Sequence, residues 1–390
     1  MKLLHTADWH LGRYLKGYSL LKDQKHLLDQ LTELIREEKP AVHLVGGDIF
    51  DRAVPAAEAL EVFHHFLRQT VLELGCPTVI IAGNHDSGER IGLYHEFLRD
   101  KNLFLSGKLR LPLQPVVLQD ATGEVHIYPV PYFEPEDLNF ALHQHGKSVH
   151  TQSHHEAWEQ LLKELPLSQH PSTRNVLVGH LFAQGGKTSE SDEEEFSRYV
   201  GTAGQVNARL FQGFDYVALG HLHAAHFVPG TAKTVRYASS LMPYSVSEAH
   251  QTKSVSLVEL EVDGNVRVSE RQLTPRRTIR KVSGKIEDGV LQTDAPAAYQ
   301  YDFVEVALQN TSPVPNAMAL IKAQFPNALP PRWPRRQLAE GSLTHSIEDL
   351  SKANNELEIF TSFFSFCHKG ELPDEQRNIL REVIATLKNE

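Results

Sequence analysis

The sequence predicts an α/β fold in which parallel strands covered by helices pass into a second, partly antiparallel sheet. Two observations carry that expectation. Strand-like apolar runs alternate with amphipathic helical runs over the first 120 residues, and later strand signals then follow one another closely.

Lys2–His5 reads as the first strand, and Lys22–Glu38 as a helix with leucines at 27, 28, 31 and 34. Ala41–Val45 is the next strand, Ala56–Leu74 the next helix and Thr78–Ala82 the third strand, an order that calls for parallel pairing. Val116–Leu118 and Val125–Val130 open the second sheet. A polar, helix-leaning stretch runs from Asp137 to Leu165, and strands return at Asn175–Val178, Tyr216–Leu219, Val235–Ala238 and Ser254–Val262. The acidic run Ser189–Glu195 reads as a solvated loop.

A basic, proline-bearing segment, Thr274–Lys281, ends a first domain of residues 1–273. Beyond it Phe303–Leu308 reads as a strand, Ala317–Phe325 as a helix and Pro330–Arg336 as irregular and basic. Residues 274–340 thus have room for a small α+β domain. Residues 341–390 lean helical, and Phe360–Phe366 is too apolar to stay exposed, so it either packs on this chain or docks a partner.

Composition narrows the class. With 41% hydrophobic and 23% charged residues the chain is an ordinary globular protein. A membrane span is not expected, because no stretch of about 18 apolar residues occurs. The start, MKLLHTADWH, lacks a signal-peptide pattern. Two cysteines, Cys76 and Cys367, lie far apart in no motif, which fits a reducing cytoplasm and excludes a cysteine-based zinc site. The net charge of −10 argues against bulk-charge attraction to nucleic acid, although it ignores bound cations and local basic patches. The 22 histidines are more telling, since several sit at strand ends.

Five polar clusters each follow an apolar run: Asp8-Trp9-His10, Gly47-Asp48-Ile49-Phe50-Asp51, Gly83-Asn84-His85-Asp86, Gly179-His180 and Gly220-His221-Leu222-His223. In an open α/β sheet the carboxyl ends of strands form the functional rim, so clusters spread along the chain can converge there. Their oxygen and nitrogen donors suit manganese, iron, zinc or magnesium. Asp8 and His10 are two apart, as are His221 and His223, a spacing that faces one side on extended backbone. Taken singly, each cluster has a plain structural explanation, and Asn84-His85-Asp86 alone reads equally as a turn, a metal site or a proton-transfer site. Independent turns do not explain all five in this order.

The ordered set D-x-H, G-D-x-x-D, G-N-H-D, G-H and G-H-x-H resembles the signature of calcineurin-like metallophosphoesterases. More narrowly, LLHTADWHLGR, GGDIFDRAVP, IIAGNHDSGER and FDYVALGHLHAAH resemble the SbcD family, bacterial nuclease subunits that pair with the coiled-coil ATPase SbcC. The motif likeness spans roughly residues 1–260, with a weaker echo at Glu371–Ile384. It implies a two-sheet αββα sandwich, a capping α+β domain that faces DNA and a helical C-terminal segment. It also implies two divalent ions, manganese first with magnesium, iron or zinc as alternatives. One ion would be held by Asp8, His10 and His223, the other by Asn84, His180 and His221, with Asp48 bridging. His85 is implied to be catalytic and not a ligand, and the Asp51 carboxylate is expected to hold its ring. Asp86 reads as a loop-fixing acceptor of backbone hydrogen bonds.

Two departures stand out. Archaeal and eukaryotic relatives carry a histidine where this chain has Asp51, and YASSLMP (Tyr237–Pro243) stands where the family often shows Gly-Ser-Pro.

Other conspicuous residues admit plainer readings. His43, His64, His65, His154, His155 and His226 read as structural, and Trp9 as a packing residue. Arg13 and Arg90 are candidates for DNA phosphates, with a structural role equally open, and Arg332, Arg335 and Arg336 around Trp333 resemble a DNA-contacting patch.

The implied function is a cytoplasmic, nucleoid-associated DNA-end nuclease, 3′–5′ exonuclease on double strands and endonuclease on hairpins or single strands. It would form a homodimer and a heterotetramer with the SbcC-type ATPase. A phosphatase or cyclic-nucleotide phosphodiesterase on the same fold, and a catalytically silent scaffold, remain alternatives. The roughly 115 residues after Thr274 argue against the first, and the filled ligand positions against the second.

Overall fold

The structure is a computed structural model that describes residues 1–170, 172–189, 204–261, 265–334, 356–368 and 371–387. Two six-stranded sheets form its centre. In the first, Lys2–Thr6 runs parallel to Val42–Val45, which pairs in parallel with Thr78–Ile81, and that strand with Leu103–Ser106. On its other side Lys2–Thr6 lies antiparallel to Ser254–Leu260, and Val266–Gln272 forms the edge. The second sheet runs His226–Phe227, Val235–Tyr237, Tyr216–Gly220, Arg174–His180, Gly123–Pro129, Val116–Asp120. Its three central pairings are parallel and its two edge pairings antiparallel.

The period-two alternation of the strands sorts their side chains into layers. Leu3, Leu44, Val79 and Ile81 join Val176, Val178, Tyr216 and Ala218 of the other sheet in one buried cluster. Leu4, Val45 and Ile80 face the opposite way, onto Leu27, Leu28, Leu31 and Ile35 of the helix Leu21–Glu38. Leu177, Val217 and Leu219 likewise meet Leu138, Leu142, Trp158 and Leu161 of the helices Pro135–Gln144 and His154–Glu164. The result is the helix–sheet–sheet–helix sandwich expected of the fold, with each fully buried apolar side chain contributing about 1.5–3 kcal/mol.

Several elements differ from expectation. The second helix is α only over Ala57–Leu67 and continues as a π-helix over Arg68–Glu73. The strands Leu103–Ser106, Val266–Gln272 and Ile279–Glu287 were not anticipated. The last two bury only alternate residues or fewer, and their outward charges mask the apolar pattern.

Ile279–Glu287 pairs antiparallel with Val290–Gln292 and parallel with Phe303–Leu308. With the helix Ala317–Gln324 it encloses a separate small core that includes Ile286, Val304, Val306, Ile321 and Phe325. Ile279, Phe303 and Leu329 belong instead to the outer core of the first sheet. Arg277, from the basic segment, donates to the fully buried Asp23 of the first helix, so this charge is structural.

From Trp333 onward the chain forms a second compact unit. Its helices Glu356–His368 and Asp374–Leu387 touch each other. Of the segment expected either to pack on this chain or to dock a partner, Phe360 and Phe363 are 45% and 54% exposed. Arg335, Arg336 and residues 190–195 of the acidic run lie outside the described residues. Among those described, no helix is long and apolar enough to cross a membrane.

Candidate metal centre

Every cluster singled out in the sequence lies at the carboxyl end of a strand. Asp8 and His10 follow Lys2–Thr6, Asp48 follows Val42–Val45, and Asn84 follows Thr78–Ile81. His180 ends Arg174–His180, while His221 and His223 follow Tyr216–Gly220. Both sheets therefore feed one rim.

At four of these residues the backbone is not extended. Asp8, His10, Asp48 and His221 have φ of 55°, 43°, 51° and 102°, in or near the left-handed region, at about 1–3 kcal/mol each. The shared orientation of Asp8 and His10 thus comes from loop geometry and not from strand alternation. Hydrogen bonds over-determine that geometry: Asp8 N–H donates to Gly47 O (3.0 Å), His10 N–H to Asp48 O (2.9 Å) and Leu11 N–H to Ile49 O (2.9 Å). Gly83 is required by close approach, since a Cβ there would sit 2.1 Å from Asp48 Oδ1.

Two donor groups result. Asp8, His10 and His223 each offer a ligand atom within 4.8 Å of the others, and His10 Nε2 stands 3.1 Å from His223 Nε2. Asn84 Oδ1 lies 2.8 Å from His180 Nε2 and 3.1 Å from His221 Nδ1. Asp48 Oδ2 lies between the groups, 3.5 Å from both His10 Nε2 and His180 Nε2. Apart from the half-buried Asn84, these residues are all buried.

The donor chemistry fits a divalent ion. His180 Nδ1 donates to Gly46 O at 2.8 Å, so the Nε2 of the neutral ring carries a lone pair. That lone pair faces the Asn84 carbonyl oxygen and the Asp48 carboxylate, three acceptors converging in a buried space. A cation among them satisfies all three. Burial, followed by the nearby His85, His223 and Arg13, pushes the His10 pKa well down, which keeps the ring neutral and able to ligate.

A supporting layer holds the donors. Asp86 accepts from the backbone N–H of Ile49 (3.1 Å), Phe50 (2.9 Å) and Gly83 (2.9 Å), the loop-fixing role expected of it. Burial and then the charge of Asp48 raise its pKa to about 7, against the pull of those donors. His85 donates its backbone N–H to Asp48 Oδ1 at 3.0 Å, and its ring meets that of His10 edge-on. His85 Nδ1, expected to donate to the Asp51 carboxylate, donates instead to the Asp51 backbone carbonyl at 3.0 Å. The carboxylate turns instead to Arg13 Nη1, at 3.0 Å.

Several supporting residues escaped the sequence reading. Gln24 donates to Trp9 O and His10 O, and its helical spacing to Leu28 and Leu31 was the one available signal. Tyr244 donates to Trp9 O and lays its ring beside those of His10 and His223. Glu248 is fully buried, 3.6 Å from His223 Nδ1 and paired with Lys253, which also donates to His223 O. Burial alone would raise the Glu248 carboxyl, but Lys253 and His223 hold it well below the usual range. Nothing local in SVSEAHQTK marks these two residues. Ser239, within YASSLMP, takes a φ of 95° and donates to His223 O at 3.1 Å.

The remaining candidates separate by exposure. Arg90 is exposed on the short helix Gly88–Ile91, and Arg332 is exposed while its backbone joins Phe303–Leu308. Arg13 is committed to Asp51 and lies over the Tyr244 ring, 5.2 Å from its centroid. His43 bonds Thr6 Oγ1, His154 pairs with Glu134, and His226 accepts from Lys187 N–H, all structural. Trp9 is wholly buried against His43, Phe63 and Phe66, a core anchor.

A rim of this kind, two sheets presenting adjoining oxygen and nitrogen donors at their strand ends, is suited to holding divalent ions. The family model of calcineurin-like phosphoesterases matches residues 1–225. The chain is 31% identical over 331 residues to the SbcD component of the SbcCD nuclease from Staphylococcus saprophyticus, an alignment spanning 84% of each. With the SbcD component of the SbcCD nuclease from Staphylococcus epidermidis it shares 29% over 329 residues, again 84% of each. The chain thus belongs to the calcineurin-like phosphoesterases and, within them, to the SbcD family. Among solved structures, a dimetal phosphatase from Danio rerio aligns at 13% identity and a TM-score of 0.39, covering 70% of this chain and 96% of that one.

Proposed function

We propose that this protein is the nuclease component of a DNA-end processing complex, a phosphodiester hydrolase acting on DNA. The observation that carries this reading is the pair of donor groups joined by Asp48 Oδ2. In it, Asp8, His10 and His223 hold one divalent ion and Asn84, His180 and His221 a second, with Asp48 shared. When bound, such a pair, manganese first with magnesium, iron or zinc in its place, activates water and neutralises phosphodiester charge.

The chain's own residues do the rest. The Asp51 carbonyl takes the Nδ1 proton of His85 in a hydrogen bond. With Nδ1–H so held, a doubly protonated ring would give its Nε2 proton to the leaving 3′ oxygen or donate it in a hydrogen bond to a phosphate oxygen. The strained loops, laced by several backbone hydrogen bonds, keep the donors in place before substrate arrives, so little reorganisation is left for the reaction.

The finer reading is 3′–5′ exonuclease action on double strands and endonuclease action on hairpins or single strands, gated by an SbcC-type ATPase. In this reading the protein is a cytoplasmic, nucleoid-associated homodimer within a heterotetramer. Residues 1–273 form the nuclease domain, 274–340 face DNA, and 341–390 dock the ATPase. The half-exposed Phe360 and Phe363 support that docking role, and the exposed Arg90 and Arg332 are the described candidates for phosphate contacts. The test incubates the protein with hairpin DNA, plasmid DNA and a chromogenic phosphodiester, in manganese and in magnesium. Hairpin cleavage in manganese that His85→Gln and Asp8→Ala abolish is expected; hydrolysis of the small diester alone overturns the DNA reading.

A further inference from the structure

His10 presents its two ring nitrogens to different surroundings. Nε2 faces His223 and Asp48, while Nδ1 is buried and makes no hydrogen bond. Asp51 Oδ1 stands 3.8 Å from that Nδ1, just outside bonding range, and accepts from Arg13 Nη1 at 3.0 Å. The carbonyl of the same Asp51 is 3.0 Å from His85 Nδ1. Two edge-to-face imidazoles, with centroids 4.8 Å apart, therefore direct their Nδ1 atoms towards one residue.

The loop around Asp51 is tied down. Asp51 N–H donates to Leu11 O (3.2 Å), Leu11 bridges to Phe50, and Arg13 N–H donates to His10 O (3.0 Å). Ligand atoms of His10, Asp51 and His85 lie within 4.8 Å of one another, like a third metal group. The guanidinium of Arg13 already serves as the cation of that cluster.

A histidine that ligates through Nε2 must carry its proton on Nδ1, and a buried N–H needs an acceptor. We propose that Asp51 is a positioning residue for both rings. Its carboxylate, clamped by Arg13, takes the Nδ1 proton of His10 in a hydrogen bond once the ion draws the ring into place. Its carbonyl sets the tautomer of His85 independently of the side chain. Asp51 thus acts through His10 and not as an acid or base beside His85. The inference rests on the reading of Asp8, His10 and His223 as ion ligands.

The test compares full-length wild type with Asp51→Ala, Asp51→Asn, Arg13→Ala, Arg13→Lys and Asp8→Ala. Manganese binding is measured by calorimetry, and histidine nitrogen shifts by NMR on zinc-loaded protein. Asp51→Ala should weaken manganese binding about 10–100-fold, the usual cost of losing a carboxylate behind a ligating histidine. Asp51→Asn, which keeps an acceptor oxygen, should fall between it and wild type. Arg13→Ala should weaken binding less than Asp51→Ala does, and Arg13→Lys should restore most of it. In Asp51→Ala the Nδ1–H signal of His10 should change while that of His85 persists, a pattern that general loosening would not produce. Wild-type manganese affinity and unchanged His10 shifts in Asp51→Ala, with binding lost in Asp8→Ala, would overturn the inference alone. Normal binding in Asp8→Ala would overturn the metal-site reading beneath it.

Discussion

His5 and His43 are as deeply buried as His10 and His180, and all four lie on central strands of the two sheets or just past their ends, yet their partners differ in kind. His5 Nδ1 meets the Tyr216 hydroxyl at 2.9 Å, and His43 Nε2 meets Thr6 Oγ1 at 2.8 Å. A hydroxyl both donates and accepts, so the bonded nitrogen is satisfied with or without a proton, while His5 Nε2 and His43 Nδ1 make no hydrogen bond. In the cradle, by contrast, His180 Nε2 faces an amide oxygen and a carboxylate, and His10 Nε2 faces another histidine nitrogen. Residue type and burial do not distinguish the two sets. What distinguishes them is whether the partner complements the ring or competes with it for a missing positive charge.

The largest expected break in that comparison is Asp48→Asn, which removes the carboxylate shared by both donor groups. Manganese-dependent cleavage should fall at least about 100–1,000-fold, the scale of losing one electrostatic stabiliser, with calorimetric binding lost as well. His43→Gln should leave both intact; equal losses in the two variants would erase the distinction.

Acid provides the next effect. Burial holds His43 near a pKa of about 3, and burial, followed by Arg236, does the same for His5. An unfolded histidine titrates near 6.5. Below that pH the unfolded chain takes up protons that the folded core refuses. The stability these residues supply is therefore complete above pH 6.5 and lost as pH falls towards 3, at about 1.4 kcal/mol per pH unit per residue. Denaturant unfolding of the metal-free protein between pH 7 and 5 should show this slope, and His43→Gln should make it shallower. An unchanged slope would mean that His43 does not stay neutral.

Metal linkage sharpens the contrast from the other side. Manganese at 100 times its dissociation constant should stabilise wild type by about 2.7 kcal/mol and Asp48→Asn by almost nothing, read from thermal unfolding. The smallest effect belongs to the hydroxyl-paired set. Thr6→Val should cost about 1–2 kcal/mol through the lost bonds to His43 and to the Trp9 indole N–H, with manganese affinity unchanged.

Much of this was legible along the chain because it is local. Phe303–Leu308 forms the strand read from its apolar run, and the leucine face of residues 21–38 lies on the first sheet as its spacing required. The loop-fixing role of Asp86 followed from the turn chemistry of Asn84-His85-Asp86. The strand Ile279–Glu287 was hidden because its charges face outward and its apolar positions match a core supplied by distant segments. Glu248 and Lys253 were invisible for a related reason: their partner His223 is more than 20 residues away in sequence.

The sequence by itself determined the donor types, their order and the strand ends that carry them, because periodicity and residue chemistry are properties of short segments. Only the tertiary structure decided which partners Asp51 takes. Its carboxylate turns to Arg13 and its carbonyl to His85, and that choice depends on two loops laced together across about 40 residues of chain.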